Sequence, residues 1–189
     1  MIEATLYTDA GCPWAYSANP ALRVLEWRFR DQLSWRLVMI GLREAPSDAA
    51  LRTFDGDRAL ARWHAFGERY GMPFATRAKE RPSGTGRGCR AVIAAGLDEP
   101  GTEWTTFRAL QFGYFAGSLY LDDTASLEEA VGPAARRADD PDVVAEYERQ
   151  RAEARSAEGT PAHVQDKTTV SDGVVRFTAP SVVFRRGGD

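Results

Sequence analysis

The chain opens on an alternation of apolar and polar positions, Ile2-Glu3-Ala4-Thr5-Leu6-Tyr7-Thr8, rich in the residue types of a half-buried strand. Asp9, Gly11 and Pro13 then interrupt it. Leu22, Leu25 and Phe29, spaced by three and four, predict a helix that starts near Pro13 or Tyr16, with Pro20 a candidate kink, and runs through Arg30. Residues 33–40 read as a second strand with Trp35, Leu37 and Met39 on one face. The short connections of this strand–helix–strand unit suit a parallel, right-handed crossover.

The pattern then changes. Over residues 43–156 the periodicity is mostly helical, with helices predicted near 57–70, 86–96, 103–116, 124–132 and 141–156. Asp123-Thr124 and Asp140-Pro141 read as caps, the second with proline in the first helical turn. No fixed period recurs, which disfavours a solenoid. Residues 157–173 read as loop. Val174-Val175-Arg176-Phe177 and Ser181-Val182-Val183-Phe184 read as strand segments, and residues 185–189 as the start of a turn, so that the sequence stops in mid-hairpin. The expected division is one unit from residues 1–42 and 157–189, with 43–156 inserted as an all-helical subdomain.

Composition narrows the classes. With 189 residues and a net charge of -3, the chain has no basic stripe of the kind nucleic-acid binders carry. It also lacks the roughly 18 uninterrupted apolar residues that a membrane span needs. The N-terminus enters a strand directly, without the basic and apolar regions of a leader, so the cytoplasm is the expected location. Two cysteines are too few for a disulfide framework. His64 and His163 show no metal-ligand spacing with them, and no metal is expected. Gly84-Thr85-Gly86-Arg87-Gly88 lacks the lysine and hydroxyl of a phosphate-binding loop.

Cys12 carries the chemistry. It lies between the first strand and the first helix, where unsatisfied N–H groups and the helix dipole favour a thiolate, so a depressed pKa is expected. Pro13 gives up a donor that the first turn does not need. Trp14 and Tyr16 offer either a flat apolar surface beside the sulfur or anchors to the core. Asp9 reads as a proton exchanger or as a solvated turn residue. Ala15 stands where a second thiol would resolve a mixed disulfide, so an external thiol must do that work. Cys89 lies in a helical pattern and reads as a packed cysteine. Arg81, Arg87 and Arg90 read either as a solvated face or as a grip on the carboxylate of a small thiol. Of two prolines that could be cis before a strand, Pro161 and Pro180, the better strand follows Pro180.

Gly11-Cys12-Pro13-Trp14-Ala15-Tyr16 after the first strand, with Thr178-Ala179-Pro180-Ser181 near the end, resembles the DsbA-like thioredoxin superfamily. That group includes FrnE-like and mycothiol-linked oxidoreductases, 2-hydroxychromene-2-carboxylate isomerases and kappa-class glutathione transferases. The resemblance implies an α/β fold: a thioredoxin-like sheet with the helical insertion, shortened at its C-terminus by a strand and a helix. It implies that Cys12 matches the attacking cysteine, or the serine that steadies a glutathione sulfur in the other branches. Pro180 would match a cis-proline, and Ala179 would offer backbone contacts to a bound thiol.

Three functions follow. The first is a thiol–disulfide oxidoreductase that uses Cys12 alone, with Pro13, Trp14, Tyr16, Ala179 and Pro180 around the bound thiol. Its partners would be a protein disulfide or a small thiol, with glutathione or mycothiol as co-substrate and no tightly bound cofactor. The second is a thiol-dependent transferase or isomerase acting on an apolar substrate. The third is a catalytically silent binding or scaffold protein of the same fold. An open sheet edge would also admit a homodimer.

Overall fold

The computed structural model describes residues 1–186. Strand β1 (Ile2–Thr8) leads into the short helix α1 (Pro13–Ser17), then α2 (Asn19–Phe29) and β2 (Leu33–Met39). The helices α3 (Asp48–Thr53), α4 (Gly56–Tyr70), α5 (Gly86–Asp98), α6 (Thr102–Phe115), α7 (Thr124–Val131), α8 (Pro133–Arg136) and α9 (Pro141–Ala154) follow. The described chain closes with α10 (Pro161–Val164), β3 (Thr168–Ser171), β4 (Val174–Phe177) and β5 (Ser181–Arg186). This is a mixed α/β architecture: a small thioredoxin-like sheet flanked by many helical segments.

The sheet has the order β2-β1-β5, with β1 parallel to β2 and antiparallel to β5. Its two faces follow from strand alternation. Leu6, Leu37 and Met39 point into a large core built with α5, α6 and the segments after them, and Trp35 packs against its edge. Tyr7, Val38 and Ile40 point the other way, onto Ala154, Ala157 and Phe177. Tyr7 stacks on Phe177 at 4.0 Å and donates its hydroxyl to Glu153 at 3.0 Å. Gln150 of α9 accepts the Met39 N–H at 2.8 Å and ties the helix to β2.

Local signals explain the helix ends. Asp55 accepts the Arg58 N–H at 2.9 Å and starts α4, which stops at Gly71 in the left-handed region. Asp123 accepts the Ser126 N–H and starts α7. Asp140 precedes Pro141 as expected, but its carboxylate accepts from Arg137 rather than capping the helix.

The region read as loop is not one. Between Ser156 and Gly173 the chain forms α10 and β3, and β3 pairs with β4 as a separate two-stranded sheet. Asp172 and Gly173, with φ of 54° and 76°, make the tight turn between them. The expected helix from Pro13 to Arg30 is two helices, broken at Ala18 ahead of Pro20. Arg185 and Arg186 extend β5 rather than starting a turn, and residues 187–189 of that expectation lie outside the described residues.

Candidate active site

Cys12 is the N-cap residue of α1, with Pro13 in the first turn. Its backbone N–H reaches Asp9 O at 3.2 Å and its carbonyl accepts from Tyr16 N at 3.0 Å. Across the fold, Ala179-Pro180 is the one cis peptide among the described residues, and Cys12 Sγ donates to Ala179 O at 3.2 Å. Pro161 sits in the first turn of α10 instead. Cys12, Pro13, Ala179 and Pro180 are thus brought together from opposite ends of the chain.

The electrostatics correct the expectation for the thiol. Cys12 is 4% exposed, and burial pushes its pKa up to about 11. The N–H groups of Ala15 and Trp14 oppose the rise, Asp9 adds to it, and Arg176 opposes it. The start of α1 does stabilise negative charge, but a helix of five residues cannot offset the desolvation of the sulfur.

Asp9 is fully buried, not a solvated turn residue. Its two oxygens accept from Gly11 N at 2.8 Å, Leu42 N at 2.8 Å and the Thr85 hydroxyl at 2.9 Å. Cys89 is packed in the core, also pushed well up by burial, and both cysteines are free thiols.

The two aromatic residues separate. Trp14 is half-exposed and stands edge-on to Phe66 at 4.5 Å and Tyr70 at 5.8 Å, at the mouth between α1 and α4. Tyr16 turns inward. It stacks on Phe115 at 4.9 Å and donates its hydroxyl to Pro73 O at 2.7 Å, so it anchors α1 to the core. Asn19 braces the same helix junction through Tyr16 O and Gln111.

The arginines considered as a carboxylate grip are already engaged. Arg81 pairs with Asp122, Arg87 with Asp139, and Arg90 with Glu44 and Asp139. His64 contacts Ala75 O and His163 accepts from Gly159 N, so neither histidine's recorded hydrogen bond goes to Cys12. No cluster of metal-ligating side chains occurs among the described residues.

Sequence reasoning missed Arg176, whose charge acts on Cys12 from β4 while it donates to Ser171 and Phe177 O. Strand pairing alone brings it there, and no local pattern marks it. A cleft of about 430 Å³ is bounded by Gly11 and Pro13, the neighbours of Cys12, and by α4 and the end of α6. A separate cavity of about 230 Å³, walled by Trp35, Leu37 and Ile93, includes neither Cys12 nor its flanking residues.

No protein-family model matches this chain, and no curated protein sequence matches it. Solved structures do. A protein from Nitrosomonas europaea, provisionally assigned as a protein disulfide isomerase, is 15% identical, with a TM-score of 0.70 over 100% of this chain and 86% of that one. The cytosolic disulfide reductase DsbM from Pseudomonas aeruginosa, also solved with GSH, is 14% identical, with a TM-score of 0.65 over 93% and 88%. A 2-hydroxychromene-2-carboxylate isomerase is 16% identical, with a TM-score of 0.55 over 93% and 88%. At this identity the likeness shows a shared fold, the small thioredoxin-like sheet flanked by helical segments.

Proposed function

We propose that this protein exchanges disulfides through the single thiol of Cys12, with a low-molecular-weight thiol such as glutathione or mycothiol as its co-substrate in the cytoplasm. The observation that carries the reading is the 3.2 Å approach of Cys12 Sγ to Ala179 O beside Pro180. A backbone edge already in contact with the sulfur is suited to receive a second sulfur-bearing chain there. The fold shared with a disulfide reductase solved with GSH supports the same reading.

The exchange balances without a second protein thiol. Cys12 loses its proton and its sulfur attacks one sulfur of a disulfide. The S–S bond breaks, and the departing thiolate takes up a proton. Ala15 cannot attack the mixed disulfide, so an external thiol attacks the bound sulfur, leaves as a new disulfide and returns Cys12 as thiol. With the thiol pKa near 11, turnover rises steeply as the solution becomes alkaline.

One observation favours a second reading. A thiol held protonated near neutrality can donate a hydrogen bond to a bound external thiolate, as a transferase or isomerase needs. Intact-mass spectrometry after incubation with oxidised glutathione separates the two. Exchange requires an adduct on Cys12 that is released by added thiol and lost in Cys12→Ser. No adduct between pH 7 and 10, with thiol-dependent turnover retained in Cys12→Ser, would overturn the exchange reading in favour of the second.

A further inference from the structure

Lys79 is buried, whereas Lys167, the other lysine of the chain, is exposed. A lysine this far out of water is ordinarily matched by a carboxylate. Lys79 forms no ion pair among the described residues; its Nζ donates to Leu119 O at 2.8 Å and to Gly117 O at 3.4 Å. The Tyr114 and Tyr120 ring centroids lie 4.9 and 4.8 Å from Nζ. The Tyr120 ring also carries the Arg81 guanidinium at 4.2 Å, so a second cation stands close by. Burial chiefly, and Arg81 after it, push the Lys79 pKa down to about 8. Loss of one proton leaves the amine two N–H bonds, enough for both carbonyls, and frees a lone pair in the remaining direction.

A third cavity, of about 430 Å³, lies against this amine, since Lys79, Gly117 and Tyr120 all line it. Ala75, Ala78 and Ala116 leave its wall low. Its other charged side chains, Arg77 and Glu80, are exposed and opposite in sign, so the wall favours neither an anion nor a cation. Neither Cys12 nor its flanking residues border it. Such a space suits a small uncharged molecule, and a desolvated amine beside a cation is the arrangement that attacks carbonyl carbon.

We propose that this cavity is a second reactive site, in which Lys79 Nζ captures a small uncharged aldehyde as a Schiff base, independently of Cys12. The neutral amine attacks the carbonyl carbon, a C–N bond forms, and a proton passes from nitrogen to the carbonyl oxygen. That hydroxyl then leaves as water with a proton from solvent, and the nitrogen electron pair closes the C=N bond of an iminium ion. The iminium keeps one N–H for Leu119 O and its positive charge between the two tyrosine rings, so the groups that hold the ammonium also hold the product.

Propanal with cyanoborohydride, which delivers hydride to the iminium carbon and fixes it as a secondary amine, tests this on the whole chain. Peptide mass spectrometry gives initial rates at Lys79 and Lys167 in one sample. At pH 7 the Lys79 rate is expected to exceed the Lys167 rate by about tenfold, because more of its amine is unprotonated. It should also saturate with propanal concentration, while the Lys167 rate stays linear. Equal rates, or a Lys79 that reacts only once urea unfolds the chain, overturn the site, and a linear dependence at Lys79 overturns the cavity as the place of binding. Cys12→Ser should leave the ratio unchanged, so that failure of exchange at the thiol does not touch this proposal. A ratio that fell in that variant would overturn the independence of the two sites.

Discussion

Cys89 donates its thiol to Oδ2 of Asp9 over 3.6 Å, in a fully buried setting. Burial is what chiefly holds both thiols protonated, and the same carboxylate adds to that effect on the Cys12 sulfur as well as on Cys89. Asp9 also joins the end of β1 to the segment after β2 and to the start of α5, through Leu42 N and the Thr85 hydroxyl. The residue therefore holds the loop that carries Cys12 while making its sulfur less acidic.

Asp9→Asn separates those two roles. Loss of the charge should lower the Cys12 pKa, and alkylation at fixed pH should speed up. The amide presents an NH2 group, a donor only, where one carboxylate oxygen accepted, so at least one hydrogen bond is lost in a buried site at a cost of about 1–3 kcal/mol. Urea denaturation reads the second effect and pH-dependent alkylation the first. A Cys12 titration that stays in place would remove Asp9 from the electrostatics of the site.

Cys12 itself should label with a midpoint near pH 11, while Cys89 stays unlabelled until the protein unfolds. The titration also leaves a mark on stability. The folded-state pKa lies above the unfolded one, so the contribution is fully present below about pH 9 and is lost as pH rises toward 11. Serine does not titrate there. The stability difference between wild type and Cys12→Ser should thus shrink by roughly 2–3 kcal/mol from pH 8 to pH 11. A pH-independent difference would place the thiol in a more solvated setting.

Arg176→Gln should move the Cys12 titration upward and slow its reaction at fixed pH by roughly threefold, because a favourable charge acting on the sulfur is removed. Arg176→Lys keeps the charge and should restore much of the rate while losing the hydrogen bonds to Ser171 and Phe177 O. Equal slowing by both variants would assign the effect to the displaced β3–β4 hairpin.

The two ends of the site were legible in sequence to different degrees. Alternation marked β1 and β2, and the turn residues after Thr8 located Cys12, because these are local signals. The proline beside the sulfur was found through the quality of the strand that follows it. The acidity of the thiol was misread because a dipole is local, whereas desolvation depends on every element packed over the sulfur. Tyr16 was ambiguous for the same reason: its aromatic ring fits a site or a core equally well until Phe115 and Pro73 are placed beside it. The β3–β4 hairpin carried a readable signal, Asp172-Gly173 between strand-forming residues, that the polar stretch before it obscured.

Gly84 supplies a test of how the cleft wall is held. A Cβ there would meet Glu44 O at 2.5 Å and Ala45 Cα at 2.9 Å, both backbone atoms that no side-chain rotation can clear. Gly84→Ala should therefore cost about 1–3 kcal/mol by forcing residues 43–45 away from the start of α5. Those residues connect Leu42, which donates to Asp9, with Arg43 on the cleft wall, so the displacement reaches the site. Gly101, whose added Cβ would meet nothing within 4 Å, isolates the backbone cost alone, because its φ of 99° strains any side chain. Thermal unfolding of the two variants should show both destabilised, but only Gly84→Ala should also alter Cys12 alkylation. If Gly84→Ala left that chemistry untouched, the segment after β2 would be free to move without disturbing Asp9, and its carboxylate would hold the loop through Gly11 and Thr85 alone.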